Sequence, residues 1–196
     1  MLPVFANNQG VIMRTASFNS LLVTFAVAVS AAFSAPAFAE SKATLNSTSK
    51  SALSRLVAKV PAANALNEKA VAVLVFPSIT KAGLMVGGQY GEGVLWRGGK
   101  PVAYYSTGGA SYGLQAGAQK YGYAMFFMRE SALNALEKAD GFEVGIGPSV
   151  VVVDEGMGKS KTSITMQDDI YAFIFGQKGL MAGIGIQGNK ITKLNK

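Results

Sequence analysis

GLMVG at residues 83–87, set within AGLMVGGQYGEGVLWRGG (82–99), nearly recurs as GLQAG at 113–117, GFEVG at 141–145 and GLMAG at 179–183. On a strand, residues two apart share a face, so Gly83 and Gly87 point one way while Leu84 and Val86 point the other. The same division holds for Leu114 with Ala116, Phe142 with Val144, and Leu180 with Ala182. Each copy therefore has one apolar face for a core and one face nearly bare of side chains. Glycine weakens a strand interior, so its repeated use implies tight bends or the close approach of another backbone or ring. The spacing predicts a strongly curved, glycine-rich antiparallel sheet, barrel-like or half-closed. Packed membrane helices, the other use of G-x-x-x-G, need a long apolar run that no segment after residue 40 offers.

Working outward, the chain is mostly strand from VAVLVF (71–76) onward. RGGK (97–100) separates EGVLW from PVAYYS as a hairpin turn would, and FGQKG (175–179) and QGN (187–189) divide the end of the chain into three short strands. One helix interrupts them: RESALNALEKA (129–139) puts Ala132, Leu133 and Leu136 on one side and stops at Asp140 and Gly141, the latter in the left-handed position. Upstream, SKSALSRLVAKV (49–60) places Leu53, Leu56, Val57 and Val60 at i, i+3, i+4 and i+7, one apolar helical stripe ended by Pro61. Arg55 and Lys59 fall on the opposite face, and Lys50 at the stripe's edge. AANALNEKA (62–70) is a second short helical stretch, and residues 40–51, rich in Ser, Thr, Lys and Asn, read as a flexible lead-in to a domain over 52–196. The class is α+β, a curved antiparallel sheet with short N-terminal helices and one inserted helix.

LLVTFAVAVSAAF (21–33) is apolar and is followed by SAPAFA, with Ala37 and Ala39 before Glu40. This is the pattern of a secretory signal peptide over 1–39, with residues 1–12 possible upstream sequence if Met13 is the start. Cleavage after Ala39 would leave a protein beginning at Glu40 and acting in the periplasm or outside the cell. The run is too short for a spanning helix. An outer-membrane barrel is disfavoured by Lys159, Lys161 and Lys178 on would-be lipid faces and by an ITKLNK end instead of an aromatic strand.

The chain carries 18 Lys and Arg against 11 Asp and Glu, and no His or Cys. A net charge of +7 points to anionic partners. Without Cys there is no disulfide, thiolate metal site or lipidated cysteine, and without His no imidazole base and no His-based zinc site. GASYG (109–113) matches a nucleophile elbow, but Ser111 has no histidine to activate it. GIGIQG (183–188) is followed by too few residues for a pyrophosphate-binding helix, and GMGKS (156–160) lacks the first P-loop glycine, since position 153 is Val153. The acid pairs Asp154-Glu155 and Asp168-Asp169 read as solvated turns. No enzyme, metal or cofactor is expected.

VLVFPSITKAGLMVGGQYGEGVL (73–95), TGGASYGLQAGAQ (107–119), VGIGP (144–148) and YAFIFGQKGLMAGIGIQGNKI (171–191) together resemble the SYLF domain, a family of bacterial exported proteins and eukaryotic proteins acting at membranes. The resemblance spans about Ser51 to Ile191. It implies lipid binding: eukaryotic members recognise phosphoinositides with the help of an N-terminal amphipathic helix, and some bind actin. SKSALSRLVAKV occupies that helix's place. The expected partner is therefore an anionic phospholipid surface, with no nucleic acid. The candidate contacts are Lys50, Leu53, Arg55, Leu56, Val57 and Lys59 on the helix, with Arg97 and Lys100 at the hairpin turn as a second contact. The competing reading is a structural or protein-interaction module whose first helix packs on its own sheet, because a helix this short is marginal in water and must dock somewhere.

Overall fold

The computed structural model describes residues 40–144, 146–154, 167–179 and 189–196. Residues 1–39, GMGKS, Lys159, Lys161, the GLMAG repeat beyond Gly179 and GIGIQG lie outside the described residues, as does the side chain of Ser111. In chain order the elements are helices α1 (Lys42–Lys59) and α2 (Pro61–Asn67), strands β1 (Ala72–Arg97) and β2 (Lys100–Phe127), helix α3 (Glu130–Lys138), and strands β3 (Phe142–Glu143), β4 (Val150–Asp154), β5 (Ile170–Gly179) and β6 (Lys190–Leu194). The described strands form one sheet in the order β3-β6-β2-β5-β4, with β1 paired to β2.

β1 and β2 make one long antiparallel hairpin, from Ala72 opposite Phe127 to Arg97 opposite Lys100. Gly98 and Gly99 close it with φ of 56° and 75°. A two-residue turn matching the twist of its strands needs both central residues in that region, which is why RGGK marks it. The hairpin is folded over on itself. A straight strand would separate Ile79 from Gly91 by about 40 Å, yet a Cβ at Gly91 would lie 3.1 Å from the Ile79 Cα. The ladder shifts register between Leu84 and Val86, where a Cβ at Gly83 would collide with the Gly87 backbone. GLMVG is thus a bend, and the sheet is strongly curved. β2 follows the same fold, pairing with β5 along 119–127 and with β6 along 104–108.

Both faces of the sheet are covered near β1's start, so VAVLVF shows no polar alternation. Leu74 and Phe76 join one core with Leu95, Tyr105, Tyr121, Tyr123, Met125 and, from α3, Leu133 and Leu136. Val73 and Val75 join the other with Val94, Trp96, Phe126, Phe173 and the two N-terminal helices.

Three expectations are corrected. The sheet is not wholly antiparallel: β4 runs parallel to β5, Val150 opposite Ile170 through Asp154 opposite Ile174. A parallel return needs a connection of about a dozen residues or more, and positions 155–169 supply that length. FGQKG is not a turn, because β5 runs through it; Gly176, at φ 63°, carries a bulge where the β2 ladder shifts between Lys120 and Gly122. The stretch 40–51 is not a flexible lead-in but the first half of α1. The Ser41 hydroxyl accepts the Thr44 N–H at 3.2 Å, capping the helix. Leu45, Ser49, Ala52 and Leu56, at i, i+4, i+7 and i+11, then face the sheet. That packing outweighs the weak helix propensity of Thr44, Asn46, Ser47 and Thr48. No described helix is long and apolar enough to cross a membrane.

Candidate functional site

The apolar stripe expected on α1 is rotated. Its buried centre is Leu45, Ala52 and Leu56, with Val60 buried at the end, whereas Leu53 and Val57 are half-buried on one flank. Leu56 is 2 % exposed and packs in the sheet core, so the docked helix does not present it to solvent. Two side chains fix the docking. Trp96 donates its indole N–H to the Ser49 hydroxyl at 2.9 Å, and Ser49 donates onward to the Val75 carbonyl at 3.4 Å. A buried serine on an apolar face is thereby satisfied. Near the helix's start, Asn46 donates to the Tyr104 hydroxyl at 3.1 Å, and the Lys42 ammonium lies 5.8 Å from the Tyr104 ring centre, within cation–π range.

Beside the half-buried flank lies a cavity of about 310 Å³. Lys50, Leu53, Ser54 and Val57 form its α1 wall, the strand start from Val71 to Val73 and the Trp96 ring line its interior, and Gly98 and Gly99 of the hairpin turn close the far side. Arg97 and Lys100 flank that turn and are exposed. The structure therefore brings together Lys50, Leu53 and Val57 with the hairpin turn, two segments that the sequence offered as separate contacts. The result is an apolar depression with exposed basic residues at its border.

The remaining candidates are placed elsewhere. Arg55 does not line this cavity; it shares a shallow surface pocket with Lys50, Ser51 and Ser54 and borders Pro77 and Ser78 in another. Lys59 is exposed in the last turn of α1, where a cation favours the helix dipole. Arg97 is engaged, its guanidinium 2.5 Å from the Glu130 carboxylate with both side chains about half exposed. A pair so exposed contributes at most about 1 kcal/mol. Lys50, Arg55, Lys59 and Lys100 form no ion pair among the described residues.

Sequence reasoning missed Trp96 and Lys42. Trp96 looked like one more strand hydrophobe, and Lys42 stood in a stretch read as unstructured. It also missed the clamp in which the Lys196 ammonium lies 2.5 Å from the Glu92 carboxylate and 2.6 Å from the Glu40 carbonyl. The pair Asp168-Asp169 is a structural knot. Asp169 accepts from Arg129 at 2.7 Å and from the Ser149 N–H at 3.2 Å, and the Ser149 backbone hydrogen bond, seconded by Arg129, holds its carboxyl below the ordinary value.

Residues 108–196, from within β2 to two residues past β6, match the family model Ysc84, described as Las17-binding protein actin regulator. Among curated proteins nothing matches the chain. The matched segment contains three of the four stretches that carried the resemblance almost entirely, TGGASYGLQAGAQ from its second residue, VGIGP and YAFIFGQKGLMAGIGIQGNKI, while α1 and β1 lie upstream of it. The match over residues 108–196 is consistent with a SYLF domain.

Proposed function

We propose that this protein binds the surface of anionic phospholipid membranes peripherally, through the depression between α1 and the β1–β2 turn. The observation that carries the reading is the convergence of Lys50, Leu53 and Val57 with Gly98 and Gly99 on one cavity, with exposed Lys100 next in the chain to Gly99. Half-buried Leu53 and Val57 supply apolar surface at headgroup depth, while each lysine near an anionic surface adds about 1 kcal/mol of attraction. Binding is then reversible and weakened by salt. The contact is made by a helix that stays docked through Ser49 and Leu56, rather than by one that inserts its whole stripe. The same proposal includes export, removal of residues 1–39 after Ala39, action in the periplasm or outside the cell, and no enzymatic activity, in keeping with the lack of His and Cys.

The test is co-sedimentation of the protein from Glu40 onward with phosphatidylcholine vesicles and with vesicles containing phosphatidylglycerol, at two salt concentrations. The expected result is binding only to the second, lost at high salt and lost in a Lys50→Glu, Lys100→Glu variant that remains folded. Equal binding by parent and variant would exclude the depression as the contact. A second reading, a protein-interaction module, is favoured by the burial of Leu56 and Val60 against the domain and by the family description, which names Las17 binding and actin regulation. It predicts no preference for either vesicle.

A further inference from the structure

We propose that the exposed sheet face bearing Thr80, Lys120 and Lys178 is a second contact for the phosphate groups of an anionic lipid surface, an inference that rests on the lipid reading and extends it to the sheet. The register brings these residues into one row across three strands: Thr80 of β1 is opposite Lys120 of β2, and Lys120 is opposite Lys178 of β5. Directly opposed residues of an antiparallel pair share a face and stand about 5 Å apart, and like charges so placed repel. All three side chains are exposed, and neither lysine has an ion pair among the described residues.

The sequence also leaves these lysines without acids nearby on their own strands. No Asp or Glu occurs between Glu68 and Glu92, between Glu92 and Glu130, or after Asp169. The three strand segments that meet here therefore contribute cations and no anion, so the charge that relieves the Lys120–Lys178 repulsion is to be supplied from outside. The neighbouring rank on the ladder is Ala82 opposite Ala118, both exposed and too small to screen the ammonium groups. Thr80 adds a hydroxyl donor. Arg55 borders Pro77 and Ser78, the latter two residues before Thr80 along β1, in a pocket that Glu40 also lines, so the row itself is confined to the three strands. All three side chains are open to solvent on a sheet face, which suits an extended surface of phosphates better than a small enclosed ligand.

The experiment compares the parent with Lys120→Gln, Lys178→Gln and with Lys50→Glu, Lys100→Glu in partitioning to phosphatidylglycerol vesicles. Neutralising the opposed lysines removes a repulsion, so the first variant should melt no lower than the parent while losing about thirty-fold in partitioning, roughly five-fold per lysine. Loss in both variants supports two contacts. Loss in the first variant alone supports this face and removes the depression. Undiminished binding of K120Q/K178Q, with loss in K50E/K100E, overturns the inference and leaves the lipid reading standing. No preference of the parent for phosphatidylglycerol overturns both. Stabilisation of the parent by inorganic phosphate, absent in K120Q/K178Q and without vesicle binding, overturns the lipid surface as ligand in favour of a free anion.

Discussion

A Cβ placed on Gly93 would stand 2.6 Å from Cδ1 of the Phe76 ring and 2.8 Å from the Val75 carbonyl oxygen. Phe76 is fully buried and stacked on Tyr123, with ring centres 6.1 Å apart, so neither neighbour has room to yield. The glycine is required by what lies opposite it, where β1's second half closes on its first. Gly93→Ala should therefore cost about 1–3 kcal/mol through overpacking, read as a lower urea midpoint at unchanged slope. Gly88→Ala is the control. Its nearest atom would be the Gly109 carbonyl at 3.9 Å, an ordinary contact, so the change should be neutral or slightly stabilising. Equal melting of the two variants would remove close approach as the reason for the glycine ladder.

At the scale of elements, α1 is held by few but well-placed contacts. Leu56 is one of two leucines on its buried face, and Leu56→Ala should cost about 3 kcal/mol. Trp96, the one tryptophan, bonds Ser49 on the same face, so loosening of α1 should appear as a red shift of its emission before the sheet unfolds. An unshifted spectrum with an unchanged midpoint would mean that the helix is not docked in solution. The elements also differ in how far their residues announced them. The hairpin at RGGK was legible because its geometry needs two glycines in a row, and the bend at GLMVG because repeated glycine on one strand face implies tight bends or close approach. The start of α1 was hidden, since Ser41 to Ser49 favour helix only once a cap and a sheet face are supplied. The direction of β4 was hidden too, because VVVVD packs equally well in either sense. Of the candidate site, Lys50, Leu53 and Val57 were visible as a helix flank. Their meeting with Gly98 and Gly99 depends on how the folded hairpin returns to α1, and the Lys120–Lys178 row depends on two registers that neither strand encodes alone.

For the whole molecule, the curved sheet encloses tyrosines whose ionisation opposes the fold. Burial pushes Tyr105 and Tyr121 up to about 12, helped at Tyr105 by the negative charge of Glu137, and burial raises Tyr123 as well. A folded value above the unfolded value of 10.0 means that the unfolded chain releases its phenolic protons first. The neutral phenols thus contribute stability that is complete below pH 10 and is lost as pH rises through the folded values near 12. Each such tyrosine steepens the decline by up to about 1.4 kcal/mol per pH unit. Tyr105 isolates the effect, because its hydroxyl is buried without a hydrogen-bond partner among the described residues, and Tyr105→Phe removes no bond. That variant should match or slightly exceed the parent's melting temperature at pH 8 and lose stability less steeply between pH 10 and 12. Parallel declines of parent and variant across that interval would mean that Tyr105 is not enclosed by the folded sheet, and that the half-barrel is open on the side of α3.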